Sequence, residues 1–178
     1  MLIFTLNKKN FQNLDFTSFL AVFNLMLQYR HKLFDDEYIN GDKPYIERVY
    51  EIIDAHVPYF WLFYDTNTLK VQGFCYFYDI IPHKNHIHTA SASICFDKAV
   101  WGKPALSVAK KLLNQVFCTL NIYKIKAECY FDNYFMPNFL TKLGFRREAI
   151  LKNETIVDNQ PKNIEIWSIF NPAPQVHL

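Results

Sequence analysis

The sequence predicts an α/β (α+β) fold in which a mixed, mostly antiparallel sheet of six to seven strands carries helices on both faces. Three aromatic and β-branched runs follow one another at residues 59–65, 70–80 and 86–96, separated only by short turn segments, which is typical of an antiparallel meander. The helical patterns after them, residues 104–120 and 133–142, are each followed by a strand pattern. These crossover connections require some parallel pairing within the same sheet.

The remaining elements follow from apolar periodicity in chain order. A short strand is predicted at residues 2–6. Helices are predicted at residues 15–30 and from Pro44 to about Ala55, because apolar residues there recur at steps of three and four. Pro44 suits the first position of its helix, since a proline there loses no helical hydrogen bond. The predicted strands after the meander are residues 123–131, 145–151 and 163–170.

The composition favours one folded domain without a nucleic-acid partner. The chain has 178 residues, of which 51% are apolar and 17% aromatic. We expect the domain to span residues 1–170 and a flexible, proline-stiffened tail to occupy residues 171–178. The net charge is only +2, and the basic pairs are scattered along the chain rather than gathered into one run.

The cysteines and the apolar runs predict a cytoplasmic location. Four cysteines occur without a Cys-x-x-Cys spacing, and three lie in strand-like runs, so free thiols in a reducing compartment are expected. The first ten residues place their lysines after the apolar residues, the reverse of a secretory signal. No apolar run approaches the roughly 18 residues of a membrane helix, so no membrane partner is expected.

Two stretches combine a strand, a loop and the start of a helix. Residues 94–113 read ICFDKAVWGKPALSVAKKLL, and residues 130–151 read YFDNYFMPNFLTKLGFRREAIL. A helix that begins after a loop presents unpaired N–H groups and a positive dipole end, which bind anions. In the second stretch Gly144 has the position of a glycine that ends a helix in the left-handed conformation.

This element order resembles that of the GCN5-related N-acetyltransferases, and both stretches make the resemblance more specific. Phe96, Asp97 and the run Trp101-Gly102-Lys103 are similar to the acetyl-CoA loop of the branch that acetylates the N-termini of ribosomal proteins. Asp132-Asn133, followed by Lys142 to Phe145, is similar to the second signature of that branch. The resemblance covers nearly the whole chain and implies the acyl-CoA N-acyltransferase fold, in which two central parallel strands splay apart.

The resemblance also implies which residues bind acetyl-CoA. The cofactor would lie between the strands at residues 86–96 and 123–131, with its pantetheine arm against the backbone near Ile94 and Phe96 and against the Asn133 side chain. Its pyrophosphate would meet the amides at the start of the following helix. The residues expected there are Trp101, Gly102, Lys103, Ala105 and Leu106.

The sequence departs from the family pattern at five positions. Trp101 stands where the family loop has arginine or glutamine. Pro104 removes one N–H from the phosphate loop, and Leu106 adds bulk where a small residue is usual. Met136 replaces another small residue. Leu140 occupies the place of the tyrosine that, in many relatives, protonates the departing thiolate. A proline at the start of a helix is also structurally favourable, so Pro104 has a purely structural interpretation too.

Two residues are candidates for the base that accepts a proton from the attacking amine. Glu128 shares one face of its predicted strand with Tyr130, beside the expected opening. A surface carboxylate paired with a lysine is the alternative, and it is the usual case for such a residue. His88 lies on the strand at residues 86–96, where a histidine bonded to its neighbours is the usual case.

Three other features have weaker functional interpretations. Three histidines lie within the run HKNHIH, and histidine is a common zinc ligand. No acidic or cysteine ligand stands nearby, so no metal is predicted. The aromatic cluster at residues 59–64 is either core or one wall of an acceptor pocket. The polar hairpin at residues 154–163 faces solvent or contacts the acceptor.

The sequence therefore predicts an acyl-CoA-dependent N-acetyltransferase. It would transfer acetyl to a primary amine, either a protein N-terminus or a small amine, by direct attack. The alternative is a catalytically inactive relative that uses the same fold as a binding or assembly module, for example in a viral particle. Neither the acceptor nor the oligomeric state follows from the sequence.

Overall fold

The computed structural model describes residues 1–39, 41 and 43–172. Its elements, in chain order, are β1 (Leu2–Leu6), α1 (Lys8–Gln12), α2 (Phe16–Gln28), α3 (Arg30–Leu33), α4 (Asp36–Ile39), α5 (Tyr45–His56), β2 (Phe60–Tyr64), β3 (Val71–His83), β4 (His86–Phe96), α6 (Lys103–Leu120), β5 (Ile122–Tyr130), α7 (Phe135–Leu143), β6 (Arg146–Val157) and β7 (Gln160–Phe170).

The seven strands form one sheet in the order β1-β2-β3-β4-β5-β7-β6. Only the central pair, β4 and β5, runs parallel; every other neighbouring pair is antiparallel. The predicted meander of β2, β3 and β4 is confirmed, and so is the mixed sheet with a central parallel pair. The helix α6 makes the crossover that parallel pairing requires.

Helices cover both faces of the sheet, as predicted. On one face α1, α2 and α5 pack over Phe60, Leu62 and Phe74. On the other face α6 and α7 pack over Trp61, Phe63 and the apolar residues of β5. Neighbouring residues of β2 therefore belong to different cores, because successive side chains of a strand point to opposite faces. Within the described residues, no helix is both long enough and apolar enough to cross a membrane.

The N-terminal half contains helical turns that the sequence patterns did not predict. The helix predicted at residues 15–30 ends at Gln28, and the chain continues through α3 and α4. The short helix α1 is also new; Asn7 caps it, because its side chain accepts from the N–H of Asn10 at 2.9 Å. Such four- and five-residue helices are too short to show a periodic apolar pattern.

The last two strands form a longer hairpin than predicted. The strands β6 and β7 continue to Val157 and from Gln160, so residues 154–163 are mostly strand and not a polar loop. The turn is Asp158-Asn159, and both residues have positive φ, 54° and 58°. A two-residue turn with positive φ at both positions fits the twist of a hairpin, and Asp and Asn tolerate this conformation.

The chain end and two helix boundaries refine the predictions. Gly144 ends α7 with φ 96°, as expected. Lys103 begins α6, so Pro104 is the second helical residue rather than the first. Asn171 is not part of a free tail: its side chain donates to the carbonyl of Ile122 at 3.0 Å, and it is buried. Residues 173–178 of the predicted tail lie outside the described residues.

Candidate acyl-transfer site

The two parallel strands separate beyond the middle of the sheet. Their pairing runs from Ile87 and Ile122 to Ala92 and Ala127. Beyond that point residues 93–96 pair only with β3. Residues 128–130 pair only with β7 on the other side. The facing backbone groups of the two strand ends therefore have no ladder partners, and the strands form a V-shaped opening.

This opening is one lobe of a cavity of about 1140 Å³. Its walls come from the ends of β4 and β5, from the first turns of α6, from α7 and from the segment of residues 29–38. The volume exceeds the roughly 300–1,000 Å³ of ordinary small-molecule pockets. The cavity is therefore large enough for an extended ligand together with a second, smaller molecule.

All eight residues that the resemblance assigns to acetyl-CoA line this cavity. They are Ile94, Phe96, Trp101, Gly102, Lys103, Ala105, Leu106 and Asn133. The divergent residues Met136 and Leu140 line it as well. Leu140 is only 2% exposed, so at that position an apolar side chain fills the space and offers no proton to a leaving group.

The start of α6 provides backbone donors for an anion. Gly102 precedes the helix with φ 88°, a conformation that favours glycine, and no side chain caps the helix. The amides of Lys103 and Ala105 have no acceptor one turn earlier in the helix, whereas Leu106 already donates to the carbonyl of Gly102 at 3.0 Å. Pro104 supplies no amide between them. The dipole of the 18-residue helix adds positive potential at this end.

Trp101 joins the loop before α6 to its surroundings. Its indole Nε1 donates to the carbonyl of Phe96 at 3.1 Å. Its ring packs against Phe135 at 5.4 Å and against Tyr29 at 6.1 Å between centroids. The indole N–H is therefore already engaged with the backbone at the end of β4. These contacts fix the loop at the mouth of the cavity.

Glu128 lines the cavity directly beyond Ala127, the last residue of β5 that pairs with β4. Its side chain is exposed, yet the surrounding walls remove part of its hydration and raise its pKa above the ordinary value; Asp79 and Glu154 add to this, and Lys126 opposes it. Tyr78 on β3 also lines the cavity, and burial followed by the charge of Glu128 raises its pKa as well. A carboxylate with a raised pKa beside an open cavity can accept a proton near neutral pH.

His88 does not lie at this site. It sits near the first paired residues of β4, at the other end of the strand from the opening. Its Nδ1 lies 2.8 Å from the hydroxyl of Thr89, and its ring packs on Tyr123 at 5.4 Å. His83 lies 5.4 Å from His86 between ring centroids. Across the part of the chain that the structure describes, no three His, Cys, Asp or Glu side chains are grouped so as to hold a metal.

The aromatic cluster at residues 59–64 does not wall the cavity. Phe60, Trp61 and Phe63 are at most 3% exposed and belong to the two cores. Because both faces of this strand are buried in the cores, neither face can contact a ligand. The predicted hairpin does contribute: Glu154 and Thr155 line the cavity.

The sequence did not identify the residues that form one further wall of the cavity. We call residues 30–39 the strap. Its members Lys32, Leu33, Phe34, Asp35 and Tyr38 line the cavity. The hydroxyl of Thr155 donates to Oδ2 of Asp35 at 3.3 Å, and the amides of Asp158 and Asn159 donate to Asp36 at 3.0 Å each. The only sequence signal was a pair of acids after a helix, which is also typical of a solvated loop.

No protein-family model matches the sequence, and no curated protein does either. Solved structures do match over nearly the whole chain. The ribosomal-protein-S5-alanine acetyltransferase of Vibrio fischeri has a TM-score of 0.71 at 15% identity, covering 97% of this chain and 94% of that one. The spermidine N-acetyltransferase of Vibrio cholerae, solved with CoA and spermine, has a TM-score of 0.71 at 15% identity, covering 96% and 95%.

A third structure is named for the family itself. The acetyltransferase (GNAT family) of Bacillus anthracis has a TM-score of 0.68 at 18% identity, covering 89% of this chain and 92% of that one. At identities this low the likeness concerns the fold. The chain has the fold of the GCN5-related N-acetyltransferases, as the two sequence stretches predicted.

Proposed function

We propose that this protein is an acyl-CoA-dependent N-acetyltransferase that acts on a primary amine. The observation that carries the proposal is the opening between β4 and β5, which begins beyond Ala92 and Ala127 and faces the start of α6. The proteins that share the fold are named for acetyl transfer to amines, on a ribosomal protein in one case and on spermidine in another. A protein N-terminus and a small amine are the two acceptor classes under this proposal.

The residues present suit acetyl-CoA, which would supply the acetyl group as an activated thioester. The unpaired amides of Lys103 and Ala105 and the Lys103 side chain would hold the pyrophosphate. The backbone near Ile94 and Phe96, together with the Asn133 side chain, would align the pantetheine arm. The size of the cavity leaves room for the acceptor beside the thioester.

Glu128 is the proposed proton acceptor. Attack by a neutral amine forms the new C–N bond, breaks the C–S bond and leaves one proton on nitrogen to be removed. Glu128 lines the acceptor end, so it can take this proton directly or through one water. Its raised pKa improves the match between base and amine. The departing thiolate would then be protonated from solvent, since Leu140 has no proton to give.

Thermal melting with acetyl-CoA tests the proposal. Ligand at ~100 times its dissociation constant should stabilise the protein by about 2.7 kcal/mol. Lys103→Met should weaken this stabilisation, because Lys103 lines the cavity. Lys98→Met is the matched control, since Lys98 lies in the preceding turn and outside the cavity wall. Mass spectrometry of amines incubated with protein and acetyl-CoA should then show a gain of one acetyl group.

A catalytically inactive binding or assembly module remains the second candidate. Pro104, which removes one phosphate donor, and Leu140, which provides no acid, favour it. Under this candidate millimolar acetyl-CoA would leave the melting temperature unchanged. We also propose a cytoplasmic location, because all four cysteines are free thiols in the structure.

A further inference from the structure

Most of the charges that line the cavity divide between its two ends. Lys103 and Lys142 lie at the end formed by α6 and α7. Asp35, Glu128 and Glu154 lie at the end formed by the strap, β5 and β6, where Lys32 also lines the cavity with its Nζ 3.9 Å from Asp132. The first end suits the phosphates of a nucleotide-containing cofactor. The second presents three carboxylates to whatever molecule enters beside it.

These three carboxylates take part in no ion pair among the described residues. Other acids near the cavity do: Asp132 pairs with Lys162 at 2.6 Å, and Glu165 pairs with Arg147 at 2.7 Å. Glu154 lies close enough to Glu128 for its charge to contribute to the raised pKa of Glu128. Unpaired like charges that share one lobe cost free energy, which a bound cation would recover.

Tyr130 gives a second, independent sign of a polar ligand. Its side chain is only 9% exposed and lines the cavity. Its hydroxyl makes no hydrogen bond to any described residue, so it is available to a molecule in the cavity. Burial, followed by the charges of Asp35 and Asp36, raises its pKa, so the phenol stays neutral and can accept from an ammonium group.

The strap restricts the size of the molecule that enters. Its Asp35 contacts Thr155, and its Asp36 accepts from the amides of Asp158 and Asn159, so the strap and the β6–β7 hairpin are in contact along one side of the lobe. His31 of the strap also lies 3.2 Å from Asp158. This side of the lobe is closed by residues that are far apart in sequence, which favours a small acceptor over a folded protein.

We propose that the acceptor is a small aliphatic amine with at least two positive charges. This inference rests on the proposed function and specifies its acceptor. The reacting nitrogen would lie beside Glu128 and Tyr130, and the second ammonium group would be held by Asp35 and Glu154. Thr155, the residue after Glu154, also lines the cavity, and its hydroxyl donates to Asp35.

The test compares 1,4-diaminobutane with butylamine, which has the same chain length and one charge fewer. With acetyl-CoA saturating, we expect kcat/KM for the diamine to exceed that for the monoamine by ~10-fold to 100-fold, the scale of one charge pair at a partly buried site. Glu154→Gln and Asp35→Asn should remove most of this preference by raising KM for the diamine. Glu154 also acts on the Glu128 carboxyl, so the measured quantity is the ratio of kcat/KM for the diamine to kcat/KM for butylamine within each variant, which should fall toward one.

Glu148→Gln is the matched control. Glu148 lies on the same strand as Glu154 but outside the cavity, paired with Lys124 at 2.8 Å. It should keep the full preference for the diamine. Equal kcat/KM for the two amines in the wild type, or a preference for a peptide N-terminus without basic residues, would overturn the inference and leave the acetyltransferase proposal intact.

Calorimetry separates the two proposals if no acetylation occurs. Binding of 1,4-diaminobutane that Glu154→Gln weakens and Glu148→Gln does not would support the acceptor site and count against catalysis. Absence of diamine binding in the presence of bound acetyl-CoA would overturn the acceptor inference alone. Absence of both acetyl-CoA and diamine binding would overturn both proposals.

Discussion

Ala92 on β4 and Ala127 on β5 are the last residues that pair across the parallel ladder, and the two strands separate immediately beyond them. Both line the cavity at the base of the opening. Each strand continues as part of the sheet because it keeps its other neighbour, β3 or β7. The gap is therefore held open from both sides and does not depend on a ligand.

The first prediction concerns the missing amide at the start of α6. Pro104→Ala restores an N–H at the second helical position, where it has no helical acceptor and points toward the anion site. We expect acetyl-CoA to bind about tenfold more tightly, since a hydrogen bond to a charged group contributes ~1.5–3 kcal/mol, part of which solvent competes for. Calorimetry measures the change. S-acetylpantetheine lacks the pyrophosphate and should bind equally to both proteins; an equal gain for both ligands would contradict the prediction.

The elements that were predicted correctly are those whose signals are local. The three strands of the meander carry dense β-branched and aromatic runs, and α6 carries a long apolar stripe. Gly144 was predicted from its position after a helix and has the expected positive φ. The motif around Trp101-Gly102-Lys103 also predicted residues that the structure brings together in one cavity, because one loop and one helix start supply them.

The strap side of the cavity could not be predicted, because its residues come together only in the folded chain. Asp35 and Thr155 are 120 residues apart, and nothing in either segment indicates that they meet. The strap consists of single helical turns with no periodic pattern. His88 was a candidate because histidine is a common base, but the end of β4 that carries it points away from the opening.

The second prediction is that Glu128→Gln removes the base. We expect kcat/KM to fall by about 10²–10⁴-fold, the usual contribution of a positioned base. The wild type should lose activity as pH falls through the raised pKa of Glu128, at a higher pH than an ordinary glutamate would produce. The variant should lack this acidic limb. A pH–rate profile measures both effects, and an unchanged profile in the variant would assign the base elsewhere.

The third prediction is that replacing either of two glutamates shifts the melting temperature, and that the two shifts have opposite signs. The pKa of Glu128 is raised in the folded protein, so its charge destabilises the fold once pH rises through that pKa. Glu128→Gln should therefore raise the melting temperature at pH 7 by about 1 °C, since solvent screens this exposed group. The difference should vanish once the pH is below the unfolded pKa of the carboxyl.

Glu148 supplies the contrast. Its pKa is lowered, because Lys124 and then Ser168 hydrogen bond to its carboxylate, so it stabilises the fold above its unfolded pKa and loses that contribution as pH falls through the folded pKa. Glu148→Gln should lower the melting temperature at pH 7 by a similar amount. Melting curves from pH 3 to 8 measure both variants. Shifts of the same sign would contradict the assignment.

The fourth prediction links the core to the cofactor site through Gly73. A Cβ at this position would lie 2.6 Å from the carbonyl oxygen of Cys95 and 2.8 Å from the ring of Phe96. That ring cannot easily move, because it stacks on Phe63 with 5.0 Å between centroids. Gly73→Ala should therefore destabilise the protein by about 1–3 kcal/mol, the usual cost of overpacking, as measured by urea denaturation.

The variant should also weaken acetyl-CoA binding, because the residues that must move lie at the end of β4 beside the opening. Gly41→Ala is the matched control: among the described residues its new Cβ would meet the Arg48 side chain at 3.6 Å, an ordinary contact. It should change neither stability nor binding by more than about 0.5 kcal/mol. If Gly73→Ala lost stability but kept full affinity, the end of β4 would not be part of the cofactor site. The cavity would then have to bind acetyl-CoA through α6 and α7 alone.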